Sequence, residues 1–393
     1  MNENGIGIDI ASDTALKEVA NQLGQANVYL AAIAAKDGGS GIKDWATLQS
    51  IIRAGLAPRV LAIGDQLECQ RNGETIVWDV IGIDHDTPAN PNLKHSVTLQ
   101  MHEIWKNLQY DAPEALYYCR EELAAGAYHF TLLSGYDTAW GGGKTLSFTL
   151  TKNIPAGGVI MFPWGYEKQA ADTKISTYSS RESTEAIETV TVDEASTGIF
   201  LGTADGKSEN MNHTHRIRYG SNNYAESAAR QCLNSDKAAG TYWKPQTIFD
   251  RPPTWETSQE GFMAGMDEDF LAVVAETSKT TALNTVTDGG GSTETTDKFF
   301  LLSKAEVYAG AEGSIMEGEP YPFYSDFSDL SQAGTGEDTN RIKYTSAGTA
   351  GYWRLRSPHV GGGGNVRYVS PTGAVSGSGA GDASGLDPAC ILA

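Results

Sequence analysis

Cysteines are scarce in this sequence, and their positions argue against two classes of protein. The four cysteines are Cys69, Cys119, Cys232 and Cys390; they lie far apart and form no CxxC pair. A zinc module or a disulfide-rich framework needs cysteines that are closely spaced or numerous. We therefore expect neither, and we interpret these residues as small buried hydrophobic side chains.

Long apolar runs and positive charge are also missing. No apolar stretch approaches the roughly 18 residues that a transmembrane helix needs, so we expect no membrane insertion. Lysine and arginine number 29 against 49 acidic residues, which gives a formal net charge of −20. Such a protein repels nucleic-acid phosphates unless it carries a local basic stripe. Since the sequence shows no such stripe, we expect no nucleic-acid partner and attribute the acidity to solubility.

No secretory signal peptide is recognisable in the first residues, which read MNENGIGIDIASDTALKEV. A basic segment followed by an apolar core would be needed. We therefore expect the protein to be made and folded in the cytoplasm. Any extracellular role would then follow from lysis or from assembly into a particle.

The composition is that of a folded protein with two or three domains: of 393 residues, 40% are hydrophobic and 20% are charged. Residues 12 to 35 begin with a helix-start signal and then place apolar residues at helical spacing. A second helix is predicted over 44–54, with Gly55 as its stop. We expect residues 1–58 to form a helical segment for attachment or oligomerisation.

Strand patterns follow this helical segment. Residues 67–70 and 75–83 are predicted strands, and Asn72-Gly73 between them is a favoured hairpin turn. Residues 96–102 are a third predicted strand. Residues 112–204 contain alternating segments broken by glycine-rich and proline-rich turns, which predicts a β-rich insertion.

Beyond residue 204 the sequence predicts short helices, a loop and a strand. The helices are expected over 225–234 and 262–275, the polar loop over 285–296, and the apolar strand over 299–303. Because strands and short helices alternate without a repeated βαβ unit, the predicted fold class is α+β.

Residues 351–393 interleave apolar residues with small or polar ones. Their glycines alone would suit a flexible linker. However, Val366, Val369 and Val375 supply side chains that a sheet can bury. Structured loops on a framework of strands are therefore favoured over a linker.

This C-terminal stretch resembles the signature of a bacterial and phage protein family with the C-type lectin fold. The resemblance rests on YWRLRSP at 352–358, followed by Val366, Gly373 and GLDPA at 385–389. The family includes the variable proteins of diversity-generating retroelements. Two departures from its pattern are visible: Arg354 stands where many relatives have an aromatic residue, and Leu386-Asp387 replaces the commoner valine-arginine. The first departure suits a surface position, and the second puts in doubt a salt bridge of the usual arginine.

Three upstream motifs strengthen the resemblance. They are GDQ at 64–66, AARQCLNS at 228–235 and DKFFLLS at 297–303. The resemblance thus covers about 60–110 and 205–393. It implies a C-type-lectin-like domain formed by residues 59–111 and 205–393, with residues 112–204 inserted as a sandwich-like β-rich domain.

The resemblance also implies a function. It indicates a non-enzymatic receptor-binding or ligand-binding protein at the tip of a bacteriophage tail, located in the virion. Its expected partners are a host cell-surface protein or glycan and other phage tail proteins, and its expected assembly is a homotrimer. We expect no cofactor and no metal.

The candidate binding residues share a codon property. Glycine, serine, aspartate, histidine, arginine and tyrosine are all reachable from an asparagine codon by changes at its two adenines, which is the substitution spectrum of these retroelements. The predicted variable surface comprises Tyr352, Arg354, His359, Gly361, Gly362, Gly363, Gly364, Asn365, Arg367, Tyr368, Ser370, Ser376, Gly377, Ser378, Gly379, Gly381, Asp382 and Ser384. Active diversification and an ordinary polar surface both fit these residues. Either surface would use a rigid framework that holds replaceable loop residues.

The predicted scaffold beneath this surface comprises Trp353, Leu355, Arg356, Ser357 and Gly373. The alternation of Trp353 and Leu355 buries one face of a strand. For Arg356 two roles are open: a scaffold residue, or the partner of a carboxylate beneath the site.

Three other functions have some support in the sequence. His213 and His215 would share one face of a strand, but a metal needs further ligands, so a solvated loop is favoured. Enzymes of this fold that use thiols, such as formylglycine-generating oxidoreductases, need a reactive cysteine pair, whereas Cys390 lies in an apolar strand pattern. A structural tail or baseplate protein without a receptor of its own is the third alternative.

Overall fold

The fold was analysed in a computed structural model of the chain. It describes residues 44–112, 221–246, 252–285, 288–324 and 339–393, together with parts of 17–30 and of 117–200. Of the helix predicted over 12–35, the described residues between 17 and 30 are helical.

Two short helices open the main described body. Helix α1 (Trp45–Arg53) begins at Asp44, whose side chain accepts a hydrogen bond from the backbone nitrogen of Thr47 at 2.7 Å. Its apolar face is buried, and Gly55 adopts a φ of +69° just after its end. Helix α2 (Ala57–Val60) follows. The predicted helix over 44–54 is confirmed.

The first sheet joins distant parts of the chain. Its strands are β1 (Gln66–Arg71), β2 (Glu74–Ile83), β3 (Val97–Met101), β20 (Ala389–Leu392) and β12 (Val274–Ala275), in that order, and β15 (Phe299–Phe300) also pairs with β20. All these pairings are antiparallel. Asn72 and Gly73 form the β1–β2 turn with φ values of +51° and +81°, as the hairpin prediction requires.

The second sheet contains most of the C-terminal stretch. Its order is β18 (Val375–Gly379), β17 (Asn365–Val369), β16 (Trp353–Pro358), β19 (Ala383–Leu386) and β4 (Lys106–Gln109). Neighbours are antiparallel except for β16 and β19, which run parallel. Residues 351–393 are therefore strands and tight turns, not a linker.

Aromatic side chains fill the core between these elements. Trp78 is fully buried, and its ring centroid lies 5.4 Å from that of Phe270 and 6.1 Å from that of Phe299. Cys69, Cys232 and Cys390 are buried and unpaired, while the side chain of Cys119 lies outside the described residues. Burial raises the pKa of the Cys69 and Cys232 thiols to about 11.

Three predicted elements differ in extent from the structure. The helix predicted over 262–275 is reduced to α4 (Glu268–Val273), and that over 225–234 is a 3₁₀ turn followed by α3 (Ala228–Leu233), which begins at the capping residue Ser227. The strand predicted over 299–303 is confined to β15.

The prediction of a loop over 285–296 is wrong for its second half. Residues Ser292–Asp297 form β14, which pairs along its whole length with β13 (Thr277–Ala282). The threonines of β14 favour an extended backbone because they branch at Cβ. Before β14, glycines 289–291 all have positive φ values and turn the chain.

Residues 117–200 contain strands only, wherever the structure describes them as regular. These are β5 (Tyr117–Tyr118), β6 (Gly126–Thr131), β7 (Thr145–Leu150), β8 (Val159–Met161), β9 (Lys174–Tyr178), β10 (Glu188–Thr191) and β11 (Ile199–Phe200). They form two sheets, β10-β9-β8-β5 and β11-β6-β7. That residues 112–204 are a separate inserted domain remains a prediction.

The molecule is thus a mixed α and β protein in which strands dominate, which agrees with the predicted α+β class. Among the described helices, none combines the length and apolarity that a membrane span requires.

Candidate functional site

Strand β16 is the frame of the C-terminal sheet, because all six of its residues are buried. The indole Nε1 of Trp353 donates a hydrogen bond to the carbonyl oxygen of Arg341 at 2.9 Å. Leu355, Ser357 and Gly373 are buried as well, and Gly373 has a φ of +83° in the turn between β17 and β18. These buried residues stabilise the sheet.

Arg356 of β16 is fully buried and pairs with a carboxylate. Its Nη1 and Nη2 lie 2.5 and 3.1 Å from the two carboxylate oxygens of Glu306. Further donors reach the carbonyl oxygens of Leu301 at 2.9 Å and Glu317 at 2.6 Å. Burial opposes ionisation of Glu306, but the charges of Arg356 and Lys279 outweigh it and lower its pKa. Arg356 therefore combines both roles that the sequence left open.

Lys279 extends this charged network. Its Nζ lies 2.6 Å from Oδ1 of Asp86 and 3.0 Å from Oε1 of Glu306, and it donates to the Tyr321 hydroxyl at 2.8 Å. A cavity of about 360 Å³ opens beside it, lined by residues 85–89, 277–280, 306 and 317–319. Since the buried charges satisfy one another, we assign this network to the frame. It is called the charged frame below and comprises Asp86, Lys279, Glu306, Tyr321 and Arg356.

The prediction that Arg354 lies on the open surface is wrong. Its side chain is fully buried. Nη1 donates to the carbonyls of Val366 and Ser378 at 3.3 and 3.2 Å, and Nη2 donates to those of Gly379 and Asp382 at 2.7 and 3.1 Å. A guanidinium occupies this position because its fork of donors satisfies several converging carbonyls at once. Burial lowers the pKa of Arg354 to about 10.

The glycine loop, residues 359–365, is fastened to the body. The Asn222 side-chain nitrogen donates to the carbonyls of Gly362 and Asn365 at 2.6 and 2.9 Å, and Asn284 in turn donates to Asn222 at 2.8 Å. Gly362 and Gly363 are buried, so their placement on the open surface is also wrong. Sequence reasoning missed Asn222 and Asn284 because they lie far upstream and belong to no motif.

His359 and Arg367 are half-buried and already engaged within the protein. Arg367 makes a bidentate pair with Glu312, with both N–O distances at 2.8 Å. Burial opposes ionisation of Glu312, but the hydrogen bonds and charge of Arg367 lower its pKa. Burial, and then the charge of Arg367, lower the pKa of His359, whose Nδ1 accepts a hydrogen bond from the Gly361 nitrogen at 3.2 Å.

An open cavity of about 500 Å³ lies at the C-terminal sheet and is called the tyrosine cavity below. It is lined by Asn107, Thr345, Thr349, Ala350, Gly351, Tyr352, Tyr368, Ser378, Ala383 and Ser384. Four of the predicted surface residues meet there: Tyr352, Tyr368, Ser378 and Ser384. Sequence reasoning missed the others, which come from β4, from the segment before β16 and from the start of β19.

Two tyrosines form the aromatic part of this cavity. The side chain of Tyr352 is exposed, and the residue retains 51% of its accessible surface. Its ring meets that of Tyr368 edge to face, with centroids 5.2 Å apart and planes at 77°. This arrangement is favourable for aromatic rings. It leaves ring surface of Tyr352 available to a ligand.

Close backbone contact supports the wall of the cavity. A Cβ at Gly385 would lie 2.4 Å from the carbonyl oxygen of Tyr352 and 2.5 Å from Ile104, so only glycine permits the parallel contact of β16 with β19. Opposite, residues 345–349 form a turn in which the Thr345 nitrogen donates to the Thr349 carbonyl at 2.9 Å.

The remaining predicted surface residues lie outside this cavity. Ser376 is exposed, and Gly361, Gly364, Asn365, Ser370, Gly377 and Asp382 are partly exposed. Gly379 and Gly381 are buried, which corrects their surface assignment: they approach the guanidinium of Arg354 and the side chain of Gln109, which donates to the Gly381 carbonyl at 2.8 Å.

Asp387, the second departure from the family pattern, is buried beside Lys343, which also pairs with Asp79. Oδ2 of Asp387 accepts a hydrogen bond from Gln100 at 2.7 Å and lies 3.7 Å from Nζ of Lys343. Burial raises the pKa of Asp387 to about 7. The usual arginine is thus replaced by a carboxylate that faces a lysine.

The two candidate metal ligands of the sequence, His213 and His215, lie outside the described residues. Among the residues that the structure does describe, no group of three or more histidine, cysteine, aspartate or glutamate side chains is placed to hold a metal.

Comparisons with known proteins give one match. No curated protein and no solved structure matches the chain. Residues 188–393, just over half of the chain, match the family described as "Domain of unknown function (DUF6273)". The matched region contains β16 to β20, the glycine loop and most of the tyrosine cavity. The chain therefore belongs to the DUF6273 family.

Proposed function

We propose that this protein is a non-enzymatic binding protein that recognises a host cell-surface molecule, and that it serves as a receptor-binding protein at the tip of a phage tail. The observation that carries the proposal is the tyrosine cavity, which is open and lies on a buried strand frame. Its volume of about 500 Å³ lies within the usual range of small-molecule sites.

The buried residues of β16 support a binding role. Arg354 ties β16 to β17 and β18, while Arg356 anchors β16 to the charged frame. Binding sites work best when the residues that touch the ligand are held by a rigid layer below them. Side chains on the surface can thus be exchanged while the positions of the strands stay fixed.

The proposed fold is that of a C-type lectin, formed by residues 59–111 and 205–393. The family motifs lie at structurally central places in support of this assignment. The YWRLRSP motif contains β16, the GLDPA motif links β19 to β20, and the DKFFLLS motif contains β15. β16 and β19 belong to the C-terminal sheet, and β15 and β20 belong to the first sheet.

We also propose that a retroelement diversifies the C-terminal codons. Exposed or half-exposed members of the predicted set, such as Tyr352, Tyr368 and Ser376, are free to change side chain without disturbing the core. The buried members of the set cannot change side chain as freely, because a residue such as Arg354 must satisfy several converging carbonyls. Sequencing the codons for 345–393 across a population should show adenine-linked variation at the exposed positions. A uniform locus would contradict diversification while leaving the binding role intact.

Attachment to the particle is proposed for residues 1–58, with a homotrimer as the assembly. Sedimentation at micromolar concentration should give three times the chain mass of 42.0 kDa. A monomer would contradict this part of the proposal.

A thiol-dependent oxidoreductase is not favoured. Of the described cysteines, Cys232 and Cys390 are buried, and burial raises the pKa of both thiols, which opposes formation of the reactive thiolate.

The binding role can be tested with labelled full-length protein on a panel of bacterial strains. We expect saturable binding to some strains, and loss of that binding in a Tyr352→Ala/Tyr368→Ala double variant. The matched control is Tyr344→Ala, because Tyr344 is 48% exposed but does not line the cavity. Unchanged binding by the double variant would contradict the assigned surface. An absence of saturable binding to every strain would favour a structural tail protein.

A further inference from the structure

The side chains of the tyrosine cavity indicate the chemistry of its ligand. The ring of Tyr352 offers a flat apolar surface, and half of the residue's surface remains accessible beside Tyr368. A ring that is held by an aromatic neighbour and exposed to solvent suits a ligand with a flat apolar face of its own.

Hydrogen-bonding groups surround this ring. The hydroxyls of Thr345, Thr349, Ser378 and Ser384 each donate and accept, and the amide of Asn107 does both through separate atoms. Within the part of the chain that the structure describes, the side chains of Asn107, Ser378 and Ser384 make no hydrogen bond to another protein group. The hydrogen-bonding groups of these three side chains are available to a ligand that carries several hydroxyls.

Charge is absent from the described residues that line this cavity. Two arginines of β16 and β17 are buried or half-buried and already paired: Arg354 with backbone carbonyls, among them that of Ser378, and Arg367 with Glu312. The chain as a whole has a formal net charge of −20, which repels anions. An acidic sugar or a phosphate would therefore meet no cation here to offset this repulsion.

We propose that the tyrosine cavity binds a neutral pyranose unit of a glycan, with the apolar face of the sugar stacked on Tyr352 and its hydroxyls bonded to the serine, threonine and asparagine side chains. This inference rests on the proposed binding function and specifies its ligand class. A protein loop would bury its charged or backbone groups against the same wall, whereas a polyol matches a lining made of neutral groups that both donate and accept.

A glycan array probed with labelled full-length protein tests the inference directly. We expect binding to neutral hexose or N-acetylhexosamine glycans and at least tenfold weaker binding to the same glycans capped with sialic acid. Tyr352→Ala should weaken binding by about tenfold or more, because it removes the stacking ring at the centre of the site. Tyr352→Phe should retain binding within about threefold, and Tyr344→Ala should leave it unchanged.

Saturation-transfer NMR with free methyl pyranosides gives a second readout that needs no immobilised ligand. Transfer should reach the axial ring protons of the sugar that face Tyr352, and it should disappear in Tyr352→Ala. Binding only to acidic glycans, or neutral-glycan binding that survives Tyr352→Ala, would overturn the inference.

Periodate treatment of bacterial cells separates this inference from the binding role itself. If the cells bind the protein and periodate oxidation of their sugars abolishes that binding, both ideas are supported. If binding resists periodate and the array is empty, the protein recognises a protein receptor and the sugar inference fails alone. If neither cells nor array bind, the proposed function fails.

Discussion

The charged frame and the tyrosine cavity both adjoin β16 and have opposite chemistry. In the charged frame, Arg356 and Lys279 are buried and each pairs with the buried carboxylate of Glu306. In the cavity, Tyr352 and Ser384 leave surface exposed, and the described lining contains no charged side chain. Under the proposed binding function, this difference is a division of labour. Ionic groups fix the geometry of the sheet, and neutral groups remain available for recognition.

The largest effect should come from removing one charge of the frame. Arg356→Met leaves Glu306 buried with only part of its charge compensated, so we expect the free energy of unfolding to fall by about 3–5 kcal/mol. Urea unfolding followed by circular dichroism measures this change. The exposed Arg59 offers a matched control, since Arg59→Met should cost no more than about 0.5 kcal/mol. Partial recovery of stability in an Arg356→Met/Glu306→Gln double variant would show that the unpaired charge causes the loss. An equal loss in Arg356→Met and in the Arg59→Met control would contradict the structural role of the charged frame.

A smaller effect is expected from Arg367→Ala at the border between the two regions. Glu312 would lose its bidentate partner and keep Lys304, whose Nζ lies 3.4 Å away. We expect a loss of about 2 kcal/mol, because a buried carboxylate is left partly compensated. Thermal or urea unfolding measures it. A neutral result would place Arg367 among the freely variable surface residues.

Titration of Asp387 should contribute to the pH dependence of the free energy of unfolding. Burial raises the pKa of Asp387 to about 7, whereas an aspartate in an unfolded chain has a pKa of about 3.9. The folded protein therefore holds this proton more tightly. The resulting stability is complete below about pH 4 and is lost as the pH rises through 7.

Asp387→Asn should remove this dependence. We expect the fall in unfolding free energy between pH 5 and 7 to become shallower by about 1–3 kcal/mol in the variant. Urea unfolding at a series of pH values measures the slope. Parallel curves for the two proteins would mean that Asp387 is ionised throughout, held by Lys343.

The smallest change in stability should come from the cavity itself. Tyr352→Ala removes an exposed ring and one edge-to-face contact, so we expect a cost below about 1 kcal/mol. Differential scanning calorimetry measures it alongside the binding assays. A loss of several kcal/mol in the free energy of unfolding would show that Tyr352 stabilises the fold, and would contradict the distinction between the cavity and the charged frame.

Local elements were predictable from the sequence because their signals are local. The two-residue hairpin turn that Asn72-Gly73 favours needs positive φ values, and Asp44 caps α1 through the backbone of the nearby Thr47. The burial of Trp353 and Leu355 follows from strand alternation. Such features depend on a few adjacent residues and change little with the rest of the fold.

The candidate site was only partly predictable because it is assembled from distant segments. Asn107 belongs to β4 and Thr345 to the turn before β16, and neither carries a motif. Arg354 was misplaced because a charged residue in a polar segment suggests exposure, whereas the converging carbonyls that bury it exist only in the folded sheet. Asn222 acts over a similar distance when it fastens the glycine loop.

The pairing of β3 with β20 has a consequence for biosynthesis. The ribosome releases β20 long after β3, and β3 is buried along its whole length in the finished protein. Until β20 arrives, one side of β3 offers unpaired backbone groups and apolar side chains to any other nascent chain. Contacts between such distant segments also slow folding. This architecture therefore makes the growing polypeptide a natural client for chaperones, and its yield should depend on them more than its final stability suggests.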